Sequence, residues 1–305
     1  VRLVENRRTI VASGLENAER IANAWSMRAR RLTRWVRGSI RSMEDAGSIV
    51  AREDSGQTAG ALAAAIDAAG DPIDAEFLQR FFKTGPGQYG EGDVFVGVRV
   101  PVTRAIVKGF ERMPLAEVSA LLESPVHEHR LAALIVLVRQ FESAGKVRMR
   151  DDAARAEIHA AYLDAVRAGH VNNWDLVDTS AEYLVGEFLR SGGPGAGDGD
   201  LTLLDELAAS DALWERRVAV LATFAFIKAG DAGPILRLAP TLVDDREDLM
   251  HKAVGWMLRE TGKRVDRELL TGFLDECAPR MPRTMLSYAT EHLSPAERAF
   301  YRALR

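Results

Sequence analysis

An indole and a carboxylate four residues apart, Trp174 and Asp178, are the pair in this chain best suited to act on a positive charge. That spacing is about one helical turn, so both side chains share one side of a helix. The aromatic face and the carboxylate would then attract the same cation. Asp175 and Asp178 also suit the positive end of a helix, which would be a purely structural role. A second indole, Trp256, stands off the apolar stripe of Leu249, Met250, Ala253, Val254, Met257 and Leu258, on the side that carries Lys252, Arg259 and Lys263. Cations beside an indole match a nucleic-acid backbone, the charges meeting phosphate and the ring packing on sugar or base. A Trp packed on a neighbouring helix, with solvated cations around it, is the equal alternative. Arg216 and Arg217 open a segment that is apolar almost all round from Val218 to Ile227. The dipole disfavours cations in a first helical turn, so each needs an acceptor, either phosphate or a neighbouring carboxylate.

Other chemistries lack their residues. His127 and His129 are two apart, a poor ligand spacing on a helix, and read as solvated. His170 and the single Cys277 have no sequence-level partner for nucleophilic catalysis. That lone cysteine excludes an intramolecular disulfide framework and multi-cysteine zinc sites, and fits a reducing, cytoplasmic compartment. Gly85-Pro-Gly-Gln-Tyr-Gly90 is a literal G-x-G-x-x-G, but a helix-like run, Phe77–Lys83, precedes it and loop follows. A dinucleotide fingerprint must follow a strand and open a helix, so this is not one. No metal and no cofactor is expected.

The elements that must position these residues are helices. Hydrophobic residues make up 47% of the 305 and aromatics only 7%, with abundant Ala and Leu, which suits helices with small interfaces better than sheets. Helical periodicity predicts segments near 58–70, 74–83, 101–112, 115–123, 127–143, 152–168, 173–190, 201–209, 213–228, 232–242, 247–262, 265–277, 280–291 and 295–304. Pro114, Pro125 and Pro295 fall near helix starts, where a missing N–H costs least, and Ser294 stands three residues before Glu297 as in a capping box. Val94–Val102 could form a strand, but nothing nearby alternates enough to pair with it. Helix pairs at roughly 40-residue spacing suggest an all-α, HEAT-like helical-repeat solenoid, whose concave face would be the binding surface. A compact helical bundle is the structural alternative.

The formal charge of −4 neither requires nor excludes nucleic acid, since a local basic groove matters more than the total. No apolar run is long enough to span a bilayer, so no membrane partner is expected. Residues 1–56 are Arg-rich, and the linker-like Ser55-Gly56-Gln57 spans their junction with the rest of the chain. They read as an appended, loosely ordered extension, with a basic nucleic-acid arm and a targeting presequence as alternatives. Residues 57–305 form the helical-repeat domain.

Three segments together resemble the AlkD-like family of HEAT-repeat DNA glycosylases: Trp174-Asp-Leu-Val-Asp178, Trp214-Glu-Arg-Arg217, and Lys252-Ala-Val-Gly-Trp256-Met-Leu-Arg259-Glu260. Phe95–Pro101 with Arg104 resembles the family's first repeat, and Met281-Pro-Arg283 with Tyr288-Ala289 its C-terminal end. The resemblance implies a monomeric, cytoplasmic glycosylase, used at the bacterial nucleoid, that excises cationic N3- or N7-alkylpurines from duplex DNA. It implies Asp178 as the catalytic carboxylate, and Trp174 and Trp256 packed on the deoxyribose backbone. Arg217 would hold phosphate, with Arg216, Lys252, Arg259 and Lys263 as further DNA contacts. At the end of the first-repeat helix this chain has Phe81 or Phe82 where family members carry Tyr, and Asn173 stands where a further Trp is common. The 85–93 loop is longer and richer in glycine than the family's. A HEAT-like protein that binds damaged DNA without cleaving it, or a protein-interaction scaffold, are the alternatives.

Overall fold

Side-chain caps start many of the helices. Thr58, Asp71, Asp151, Asn173, Asp266 and Ser294 each accept a hydrogen bond from a backbone N–H at the opening of a helix, satisfying donors the helix itself cannot reach. Ser294 and Glu297 close the full reciprocal capping box. The computed structural model describes residues 56–192 and 201–304. The Arg-rich extension, except its last residue, and most of the Gly-rich stretch after Ser191 lie outside the described residues.

The elements are α1 (Ala59–Ala68), α2 (Pro72–Gln79), α3 (Val100–Val107), α4 (Leu115–Leu122), α5 (His127–Ala144), α6 (Asp152–Arg167), α7 (Trp174–Ala181), α8 (Phe188–Arg190), α9 (Thr202–Ala208), α10 (Leu213–Lys228), α11 (Gly233–Leu242), α12 (Asp248–Arg264), α13 (Arg267–Cys277), α14 (Arg283–Ala289) and α15 (Pro295–Ala303). The segment expected as one helix over 173–190 is instead α7 and α8 joined by a π-helical stretch, Glu182–Glu187. Gly186 explains where it can sit, because a Cβ there would lie 2.1 Å from the Ala222 carbonyl oxygen of α10. The 94–99 segment is not a strand; it makes one isolated bridge, Val94 with Val126. Among the described residues no helix is long and apolar enough to cross a membrane.

The helices form an all-α repeat of two layers. One row runs α3, α5, α7, α10, α12, α14, each packed on the next, and α4, α6, α9, α11, α13 and α15 back this row from the other side. The buried residues Leu134, Leu176, Val218, Val254 and Leu286 form one continuous core across the row. Helices α5 and α10 are apolar nearly all round because they pack on both layers. Every residue singled out for chemistry on α7, α10 and α12 therefore stands on the same row.

Candidate active cleft

The row opens on a cleft of about 500 Å³ lined by Trp174 and Asp178 of α7, Arg217 of α10, Leu249, Lys252 and Trp256 of α12, and Tyr288 of α14. Arg80, Phe81, Phe82, Lys83 and Tyr89 close one side, and Glu247 and Asp248 reach in beside Lys252. One turn separates Trp174 from Asp178, and one turn separates Lys252 from Trp256, so each helix presents two residues to the same space. Gly255 brings α14 close: a Cβ there would stand 2.5 Å from the Met285 carbonyl oxygen and 2.7 Å from the Tyr288 Cβ. That approach sets Tyr288 beside Trp256 at the cleft wall.

Arg217 forks onto Asp178, its Nε 3.0 Å from Oδ1 and its Nη2 2.9 Å from Oδ2. Its Nη1 donates to the Leu249 carbonyl oxygen at 2.6 Å. The side chains are 5% and 19% exposed, which puts the pair at the cleft floor with the carboxylate the more open of the two. Of the acceptors weighed for Arg217, the neighbouring carboxylate is the one found. Each of its three nitrogens makes a hydrogen bond within the protein, so the guanidinium orients Asp178. Burial drives the Asp178 carboxyl up to about 6, the Arg217 charge opposing without cancelling the shift. The group is thus ionised near neutral pH, in a setting that makes its charge costly and strong.

The remaining candidates divide. Phe81 lines the cleft and is 58% exposed, with its ring edge-on to Phe77 at 5.4 Å. Phe82 stacks on Trp174 at 5.4 Å and 20°. Lys252 lines the cleft and pairs with Asp248 at 2.8 Å, which raises the lysine's pKa and lowers the aspartate's. Trp256 is half-buried and packs against Phe224 at 5.9 Å. Arg216 is not in the cleft: its Nε holds Asp245 at 2.8 Å and its Nη1 the Ser210 and Asp211 carbonyls. Arg259 is tied to Glu260 and Glu291, and Lys263 is exposed further along α12; neither lines the cleft. Helical spacing put both on the Trp256 side, but the cleft ends before they reach it.

Three features escaped the residue-type reading. The glycine-rich loop delivers Tyr89 to the cleft, where its ring stands edge-on to Trp214 at 5.5 Å. Burial raises the Tyr89 phenol, and hydrogen bonding to the Lys83 main chain and the Trp174 side chain opposes that rise. An aromatic residue inside a glycine-rich turn was the available signal. His127 and His129, expected to be solvated, are 2% and 7% exposed and hydrogen-bonded to Asp175 and Asp67, each at 2.8 Å. Polar side chains buried at a helix start need partners, and these found carboxylates on other elements. Asp175, expected to serve only the helix dipole, is therefore part of a buried charge cluster behind Trp174.

A sequence search finds no match among curated proteins. Among solved structures, a predicted DNA alkylation repair enzyme from Enterococcus faecalis superposes with a TM-score of 0.52 at 16% identity, covering 74% of this chain and 97% of that one. At that identity the likeness speaks for the fold alone. The family model for DNA alkylation repair enzymes matches residues 62–293, which include every residue lining the cleft. With most of the chain matched and its repeat of paired helices in place, this protein belongs to the DNA alkylation repair enzyme family.

Proposed function

We propose that the protein is a DNA glycosylase that hydrolyses the N-glycosidic bond of cationic N3- or N7-alkylpurines in duplex DNA. The observation that carries this reading is the half-buried, Arg217-oriented carboxylate of Asp178 sharing one cleft with the indoles of Trp174 and Trp256. An alkylated purine is already a cation, so it departs as a neutral base with the bonding electron pair and needs no general acid. The deoxyribose left behind carries positive charge at C1′ and O4′. An ionised carboxylate and π faces stabilise that charge more than they stabilise the ground state. Water then bonds to C1′ and loses one proton to the surrounding solvent, leaving an abasic site. Lys252, together with Lys83 on the opposite side, supplies the phosphate contacts, and Arg217 acts through Asp178.

The test is release of 7-methylguanine and 3-methyladenine from methylated duplex DNA, measured in single turnover. The parent should release both, and Asp178→Asn should release them about 10- to 1000-fold more slowly, with duplex affinity nearly unchanged. Binding of methylated duplex without any release by the parent would make the protein a damage-binding member of the family.

A further inference from the structure

A buried charge cluster stands behind the cleft. The His127 imidazole Nε2 lies 2.8 Å from Asp175 Oδ2, and its Nδ1 lies 3.6 Å from Asp93 Oδ2, a charge contact beyond hydrogen-bond reach. Arg130 Nη2 donates to Asp93 Oδ1 at 2.6 Å, and Asn173 Nδ2 donates to Asp93 Oδ2 at 3.2 Å. The ring of His127 is packed by Phe95 at 4.8 Å and 22° and by Phe82 at 4.8 Å. These residues come from α5, the first turn of α7 and the loop between α2 and α3. The residues on both sides of Trp174 are therefore anchored, Asn173 to Asp93 and Asp175 to His127. Phe82 also touches both rings, stacking on Trp174 while it packs on His127.

We propose that His127, held by Asp175 and Asp93, is a positioning residue that fixes Trp174 in the cleft. This rests on the glycosylase reading for its consequence in rate, but not for its geometry. A network kept for stability alone would be poorly built: His127 Nδ1, Arg130 Nε and Asp175 Oδ1 are buried without a hydrogen-bond partner. Buried ion pairs stabilise little beyond an apolar packing of the same volume, and their best-attested use is to specify one arrangement. His127 also opens α5, where the helix dipole opposes its charge, so the charge persists only through the carboxylates. Asp175 and Asp93 hold the imidazole up to about 9 against burial and the Arg130 charge. The raised value means that the contact is complete below the ordinary histidine value and is lost as pH rises through about 9.

The experiment uses the full chain labelled in its histidine and tryptophan side chains, titrated by NMR from pH 6 to 10. One imidazole should stay protonated through neutral pH with a midpoint near 9 and be missing from His127→Gln. The Trp174 indole resonance, assigned by its loss in Trp174→Phe, should shift with the same midpoint. Asp175→Asn should move that midpoint down by at least one unit. In single turnover the parent should lose base release along the same alkaline transition. His127→Gln should be about 10- to 100-fold slower at neutral pH with less than a twofold change in duplex affinity, the scale of a misplaced positioning group. A His127 midpoint near 6.5, or an indole resonance indifferent to the transition, would overturn the proposal without any appeal to activity. So would a parent rate that stays flat through it. Absence of base release with the NMR transitions intact would count against the glycosylase reading instead.

Discussion

Asp178 stands between two opposed influences: burial, which raises its pKa to about 6, and the Arg217 fork, which favours the ionised form. Because the folded value lies above the unfolded one, ionising Asp178 costs folding free energy. That cost is absent below the unfolded value and is complete above about 6. Base release should therefore fall as pH drops through about 6, and a rate profile with no acid limb there would remove Asp178 from the reaction. Arg217→Ala should shift this limb to higher pH, since the charge that opposes burial is gone. Breaking a buried pair should also cost about 3 kcal/mol of stability, read by urea denaturation, partly relieved because Asp178 can protonate.

At the scale of elements, close approach of α12 and α14 decides the cleft wall. Gly255 is the residue that allows it, its missing Cβ leaving room for the Met285 carbonyl and the Tyr288 side chain. Gly255→Ala should push the two helices apart and lower stability by about 1–3 kcal/mol, the usual range for overpacking. Thermal unfolding measures the loss, and an unchanged midpoint would mean that α14 yields freely. The π-helical stretch after α7 has a related role, since it adds one residue to the turn between Asp178 and the Gly186 contact with α10. Such bulges re-aim the side chains before and after them, here on the helix that carries Trp174 and Asp178.

For the whole molecule, charge is arranged locally rather than in total. The formal charge is −4, yet Arg80, Lys83, Arg217 and Lys252 all face the cleft, against Asp178, Glu247 and Asp248. Arg217 is spent on Asp178, Lys252 shares its charge with Asp248 and Arg80 pairs with Glu76, which leaves Lys83 as a cleft cation with no ion pair among the described residues. Duplex affinity should fall with salt, and Lys83→Ala and Lys252→Ala should each reduce the slope of log affinity against log salt by about one. Arg216→Ala should leave the slope as it is, because that side chain serves Asp245 outside the cleft. Equal slopes for all three variants would place the DNA elsewhere on the molecule.

The residues themselves determined the helices, since caps such as Asn173, Asp266 and Ser294 and the stripe through Met250, Val254 and Leu258 act over a few positions of chain. Helical geometry likewise set Trp174 beside Asp178 and kept Trp256 off its own core stripe. Residue type could say that Arg217 and His127 need partners, but not which ones. Arg217 meets Asp178 across 39 residues and His127 meets Asp175 across 48, and those meetings exist only because α5, α7 and α10 pack in one row. The same packing delivered Tyr89 and Tyr288 to the cleft and left Arg216, Arg259 and Lys263 outside it. Spacing along a helix fixes a direction, whereas the helix packed against that direction decides whether a side chain meets solvent, a carboxylate or a cleft.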